Sequence, residues 1–231
     1  MIRISNIGTA TRNNWILETH IGIIAVDTGL PGQSERFLKR FGKYWPVNEL
    51  KYIFLTHAHI DHAGFLSELM QKTDARLILC EEASKVLAVG QNIEKHEYKN
   101  WLGRVLEKNM LGANGKYPIF SDLSRMDIVY DNDLFFKDVG VHADVVFLPG
   151  HTSDSIGLYL YENNSIICGD AAMNSPPFNR NRHTGLIEDL HLFHCSWDRM
   201  ISLNADMIYP GHGKPFPSHD LVKYRHFKNS C

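Results

Sequence analysis

Apolar residues along this chain fall into short runs of two periods, and the runs mark its elements. After a first strand at 2–5, residues 14–27 read as two more, Trp15-Ile16-Leu17 and Ile21 to Val26, closed by Asp27-Thr28-Gly29 as a turn. Ser34 to Trp45 has the helical period, with Phe37, Leu38, Phe41 and Tyr44 on one face, and Pro46 ends it. Tyr52-Ile53-Phe54-Leu55 and Arg76 to Cys80 are buried strands, separated by a helix over 62–72 whose stripe is Phe65, Leu66, Leu69 and Met70. Further strands are expected at Ile128-Val129-Tyr130, Leu134-Phe135-Phe136, Val145 to Leu148, Ile156 to Leu160 and Ile166 to Cys168. Ile187 to Leu203 predicts a helix facing inward through Leu190, Phe193, Trp197, Met200 and Ile201. Met207-Ile208-Tyr209 is the last apolar strand, followed by a short polar end.

Two stretches break this pattern. From Glu81 to about Asp127 polar residues dominate around one helical stripe, Trp101, Leu102, Val105, Leu106 and Met110. We read the chain as one domain, 1–231, with 81–127 as an excursion that is either a lid over a site or a solvated insertion. Asn174 to Gly185 is a second irregular piece, where Arg180, Arg182 and His183 either meet an anionic substrate group or lie on a solvated loop.

Four apolar strands end alike. Tyr52–Leu55 runs into Thr56-His57-Ala58-His59-Ile60-Asp61-His62, four potential ligands within six residues. Val145–Leu148 runs into Pro149-Gly150-His151, Ser165–Cys168 into Gly169-Asp170, and Met207–Tyr209 into Pro210-Gly211-His212. Residues two apart on an extended chain point the same way, so His57 and His59 can face one ion. Asp61 and His62, at the turn into a helix, can address a neighbouring point. Imidazole and carboxylate suit zinc, iron or manganese. A lone Gly-His carries no weight; four strand ends delivering a ligand to one sheet edge point to a metal site.

Composition adds exclusions. The formal net charge of −2, without Lys/Arg runs, argues against a nucleic-acid surface, and no apolar stretch is long enough to span a membrane. The first residues lack a signal-peptide pattern, and the four cysteines, Cys80, Cys168, Cys195 and Cys231, have no paired spacing. Reduced thiols and a cytoplasmic location are the expectation. Cys168 is read as a buried free thiol, and His183, His191 and His194 as packing residues.

HAHIDH at 57–62, PGHT at 149–152, CGD at 168–170 and YPGHG at 209–213 resemble the metallo-β-lactamase superfamily, as does the strand ending in Asp27-Thr28-Gly29. The resemblance covers most of the chain outside 81–127 and 174–185. It implies an α/β fold, a four-layer αβ/βα sandwich of two mixed sheets flanked by helices. It further implies two divalent metal ions, zinc before iron or manganese. His57, His59 and His151 would hold one, Asp61, His62 and His212 the other, and Asp170 would bridge. Two such ions about 3.5–4 Å apart can hold a bridging hydroxide near neutral pH. The implied activity is hydrolysis of a small ester, lactone, thioester or phosphodiester, with Asp61 orienting the hydroxide or returning its proton.

Departures within the family narrow this reading. Lactamases proper generally lack the bridging aspartate, flavodiiron oxygen reductases carry Glu where His59 stands, and acyl-homoserine lactonases place Tyr at the position of Met173. Glyoxalase II enzymes add a C-terminal helical region, and here only 19 residues follow His212. The alternatives are an enzyme resembling the mononuclear-iron persulfide dioxygenases and a ligand sensor on the same fold. The partner expected is a small-molecule substrate, not nucleic acid or membrane, and no feature of the sequence signals an oligomeric state.

Overall fold

In the computed structural model, the described residues are 2–91, 96–99, 116–131, 135–138, 140–175 and 181–225. Strands β1 (Arg3–Asn6), β2 (Trp15–Thr19), β3 (Gly22–Val26), β4 (Leu50–Phe54), β5 (Arg76–Leu79) and β7 (Met126–Ile128) form one sheet in that order. β8 (Ala143–Phe147), β9 (Ile156–Leu160), β10 (Ser165–Gly169), β12 (Met207–Pro210) and β13 (Phe216–Pro217) form the second, ordered β13-β12-β10-β9-β8. β6 (Tyr98–Lys99) and β11 (Leu186–Ile187) make a separate antiparallel pair.

The sheets are mixed, and their parallel pairs place the ligands. β3, β4 and β5 run parallel, pairing Val26 with Phe54 and Phe54 with Ile78, so the C-terminal ends of β3 and β4 lie together. β10 and β12 are also parallel, Ile167 opposite Tyr209, which brings their ends side by side. Main-chain bonds join the sheets at this edge: Ile156 N–H donates to Thr56 O at 2.8 Å, and Asn13 N–H to Gly211 O at 2.8 Å.

Period-two alternation in the second sheet explains the layering. Val145, Leu158, Leu160 and Ile167 join the core shared with β2 to β5, while Val146, Tyr159, Ile166 and Cys168 face a second core. That second core contains Phe193, Trp197 and Met200 of helix α6 (Leu190–Ser202). On the outer side of the first sheet, Phe37 and Phe41 of α1 (Ser34–Phe41) and Leu69 and Met70 of α3 (Leu66–Lys72) complete the first core. Helices, sheet, sheet, helix: the fold is the expected αβ/βα sandwich.

Several details differ from the sequence reading. α1 stops at Phe41 and leaves Tyr44 70% exposed; Phe37, packed on Phe65, and Phe41, packed on Phe37, carry its buried aromatic face. The helix after the ligand loop is two pieces, α2 (Ile60–Ala63) and α3, broken at Gly64-Phe65. Phe135-Phe136, expected as strand, lies in the turn α5 (Phe135–Asp138), with Phe136 buried against Phe54. Glu81–Val89, read as irregular, is helix α4 on only two buried residues, Ala83 and Leu87. The polar end forms β13 and helix α7 (His219–Tyr224), anchored by buried Phe216 and Leu221. Cys80 and Cys168 are free and buried, but Cys195 is disulfide-bonded, against the expectation of reduced thiols throughout. The Trp101 to Met110 stripe, Leu134 and Arg180 lie outside the described residues. Among the described residues no helix is long and apolar enough to cross a membrane.

Candidate metal centre

All seven proposed ligands converge at the edge where the two sheets meet. Three ring nitrogens face one point: His59 Nδ1 lies 3.1 Å from His57 Nε2 and 2.9 Å from His151 Nε2. Beside them, His212 Nε2 lies 3.2 Å from His62 Nε2 and 3.2 Å from Asp61 Oδ2. Asp170 sits between the two groups, 3.5 Å from Nε2 of both His62 and His212 and 3.8 Å from His151 Nε2. His57, His62, His151 and Asp170 are buried, whereas His59, Asp61 and His212 are partly exposed, so the centre opens to solvent on their side.

The outer nitrogens of four rings settle which atoms face inward. His151 Nδ1 meets Leu186 O at 2.7 Å and His212 Nδ1 meets Thr11 O at 2.6 Å; a carbonyl only accepts, so each Nδ1 carries the proton. His62 Nδ1 meets the Asp27 carboxylate at 2.8 Å. Thr56 Oγ1 donates to that carboxylate and accepts from His57 Nδ1 at 3.0 Å. Fixed this way, the four Nε2 atoms turn lone pairs toward the centre. Lone pairs about 3 Å apart repel unless a cation lies among them, and roughly 3.3 Å separates two nitrogens on one tetrahedral zinc ion. Asp170 Oδ1 is buried with no hydrogen-bond partner, an acceptor that a cation would satisfy. The residues present fit a metal centre of His and carboxylate ligands, in groups His57–His59–His151, His57–His62–Asp170 and Asp61–His62–His212.

Asp27 links the groups. It sits in the left-handed region at φ 60°, a conformation rare outside glycine, asparagine and aspartate, and its carboxylate also takes the Thr56 N–H at 2.8 Å. Gly211 is required for a different reason: a Cβ there would meet Asp170 Oδ1 at 2.4 Å and His62 Cε1 at 2.7 Å.

The electrostatics of these side chains divide the centre. Burial pushes His57 well below its ordinary pKa, and His62, His59 and His151 add to the effect. Burial also opposes charge on His212, but Asp170 and the hydrogen-bonded Asp61 outweigh it and push the ring up to about 10. His62 is raised too, where Asp170, Asp61 and Asp27 overcome burial. For Asp61 burial favours the neutral acid, yet His62 and the bond to His212 hold the carboxyl well below the usual range.

The sequence model of the metallo-beta-lactamase superfamily matches residues 9–212. The chain belongs to that superfamily. A Beta-lactamase-like protein 2 homolog of Caenorhabditis elegans is 27% identical over 202 residues, 87% of this chain and 55% of the relative. An atrochrysone carboxyl ACP thioesterase of Aspergillus fumigatus is 27% identical over 161 residues, 70% of this chain and 38% of the relative. Among solved structures, an archaeal superfamily protein from Sulfolobus tokodaii aligns with TM-score 0.67 at 18% identity, covering 97% of this chain and 84% of that one. This chain spans about half the length of the curated relatives it matches. The superfamily consists mostly of hydrolases and typically binds divalent metals, and the His and Asp groups of this centre could hold such an ion.

Other candidates from the sequence play different parts. Arg182 is tied to Asp220 of α7 at 2.5 Å and lies over the Phe216 ring at 4.6 Å, so its guanidinium holds chain segments together. His194 is buried beside Trp197 and Phe193, whereas His191, three residues earlier, is exposed against Cys195; they do not share a face. Cys168 Sγ faces Gly169 O and Ala172 O, and burial raises its thiol pKa. The supporting carbonyls of Thr11 and Leu186 could not be found from sequence, because any residue supplies a carbonyl.

Proposed function

We propose that this chain is a binuclear metal-dependent hydrolase of a small ester, lactone, thioester or phosphodiester. His57, His59 and His151 would hold one divalent ion and Asp61, His62 and His212 the second, with Asp170 serving both, zinc being the first candidate and iron or manganese next. The observation that carries this reading is the position of Asp170, within 3.8 Å of ring nitrogens of both groups and with one oxygen unsatisfied. The thioesterase relative favours the thioester within that range. A small-molecule substrate fits a chain of net charge −2, and a cytoplasmic site of action remains part of the proposal.

When bound, two divalent ions activate water near neutral pH and polarise the substrate oxygen that gains charge. The protein's own groups do the rest. Asp61, partly exposed beside His212, is placed to accept a proton at the open side of the centre and return it to a leaving group. Asp170 places negative charge between the cation positions and offsets their repulsion. His57, His62, His151 and His212 cannot swing, since each outer nitrogen is held. Among the described residues neither free thiol competes as nucleophile: Cys80 is pushed up to about 12 by burial, and Cys168 is raised as well.

Elemental analysis of protein prepared without chelator, paired with a panel of ester, lactone, thioester and phosphodiester substrates, tests the proposal. Two equivalents of metal with turnover of one substrate class is the expected result. One equivalent that stays at one under metal excess, with oxygen consumption, would move the chain to the mononuclear-iron dioxygenase reading. Two equivalents without turnover of any class would favour the sensor.

A further inference from the structure

Ala58 has no side-chain chemistry, yet both polar groups of its main chain are held by buried side chains from distant parts of the sequence. Its N–H donates to Asp154 Oδ2 at 2.7 Å, and its carbonyl accepts from the Tyr117 hydroxyl at 2.8 Å. Asp154 and Tyr117 are both buried. Burying a carboxylate is costly unless strong donors meet it, so aiming one at a loop peptide calls for a reason.

Location supplies that reason. Ala58 lies between His57 and His59, which offer different ring atoms, Nε2 and Nδ1, to one point 3.1 Å across. A tilt of the intervening peptide would move both rings together. Both holding groups are themselves fixed. Tyr117 N–H donates to Gly90 O at 3.0 Å at the end of α4, where Gly90 is left-handed (φ 65°) and a Cβ would meet Tyr117 O at 2.6 Å. The Asp154 carbonyl accepts from Cys80 Sγ at 3.2 Å. The 81–127 excursion thus reaches the ligand loop through Tyr117.

We propose that Asp154 and Tyr117 are positioning residues that clamp the Ala58 peptide, setting the angle at which His57 and His59 present their nitrogens to a shared metal ion. The proposal rests on the metal-binding reading above and assigns neither residue as a ligand.

Cobalt(II) titration of the full chain, followed by visible absorption, tests it with Tyr117→Phe, Asp154→Ala and Asp154→Asn. Tyr117→Phe and Asp154→Ala should weaken cobalt binding at the three-histidine group by about 10–100-fold, the usual cost of losing a group that orients a ligand, and alter its absorption. Asp154→Asn keeps an oxygen that accepts the Ala58 N–H and should restore most of the affinity. Should Asp154→Ala fail to fold, Tyr117→Phe, lacking one hydroxyl, still decides the matter. Wild-type affinity and spectrum in Tyr117→Phe, with only a lower Tm, would overturn the clamp and leave the metal reading standing. A wild-type chain that takes up no cobalt would overturn both.

Discussion

The two sheets supply the proposed ligands to one centre but support them by different means. The first gives His57, His59, Asp61 and His62 from a single loop, and the support found there is largely side chains: Asp27 on His62 and Thr56, Thr56 on His57, Asp154 and Tyr117 on Ala58. The second gives His151, Asp170 and His212 from three strand ends, and carbonyls of Leu186 and Thr11 hold its histidines. Its precision comes from the parallel β10–β12 pair and from glycine at 211, where no side chain fits. One half can therefore be loosened by conservative substitution of supporting residues. The other is set by chain path and yields only to changes of ligand or backbone.

The largest effect should come from a ligand with a second task. Asp61→Asn retains the shape of the group and its place beside His212 but loses the charge and the proton acceptor. We expect turnover to fall by about a hundredfold or more while at least one metal ion stays bound. Steady-state kinetics with elemental analysis measures both. Full activity, or a trapped acyl- or phosphoryl-enzyme, would move the chemistry off this centre.

Next comes the side-chain support itself. Asp27→Asn can keep the left-handed backbone, since asparagine tolerates it, but its amide cannot accept from Thr56 and His62 as the carboxylate does. Metal affinity should drop by about 10–100-fold, at both groups, because Asp27 reaches His57 through Thr56 and His62 directly. Competition with a chelator reads the affinities separately. Loss confined to one ion would break the idea that Asp27 couples the groups.

Strand ends were legible in the sequence because a buried strand needs an unbroken apolar run and a ligand following it is conspicuous. The supporting residues were not. Asp154 stands 96 residues from Ala58 and Tyr117 stands 59 away, and nothing local marks an aspartate or tyrosine for such a partner. α4 was missed because it buries only Ala83 and Leu87 and shows no stripe. Phe135-Phe136 was misread because two adjacent aromatic residues fit a strand or a helical turn equally, and packing of Phe136 on Phe54 decided the outcome. Periodicity reports which side of an element is apolar, not which distant group needs a hydrogen bond.

Protonation should separate the two ion positions more gently. Without metal, burial holds His57 low, so that ring needs no deprotonation before binding, while His212, raised to about 10, keeps a proton that a cation must displace, and His62 is raised in the same direction. At about 10 the His212 proton is still bound at neutral pH and leaves as pH rises, and the raised His62 adds in the same direction, so affinity at the Asp61–His62–His212 group should increase with pH. The slope should be about tenfold per pH unit for each proton displaced. At the other group His57, held low, should add nothing to the slope from about pH 6.5 to 8. Metal titrations across that range, in buffers of different ionisation enthalpy, would count the protons. Equal slopes for both ions would erase this distinction.

The smallest effect concerns Arg182, which the sequence offered as a contact for an anionic substrate. Its ion pair with Asp220 is mostly buried, with side-chain exposures of 15% and 21%, and it packs over Phe216 beside the second sheet. Its backbone is left-handed at φ 65°, but Arg182→Gln keeps a long unbranched side chain, so that strain largely cancels between the two proteins. What remains is the pair with Asp220, a bond donated to Asn174 Oδ1 and the contact over Phe216, together worth about 1.5–3 kcal/mol. In a chain of this size each kcal/mol lowers Tm by roughly 2–4 °C. The Michaelis constant should stay within about twofold, because a residue that only ties β13 and α7 to the preceding loop contributes nothing to substrate binding. A rise of about tenfold or more with Tm unchanged is what a lost charge-assisted bond to substrate would give. That outcome would place Arg182 in the substrate site and show that the second sheet, too, works through side chains that can be exchanged.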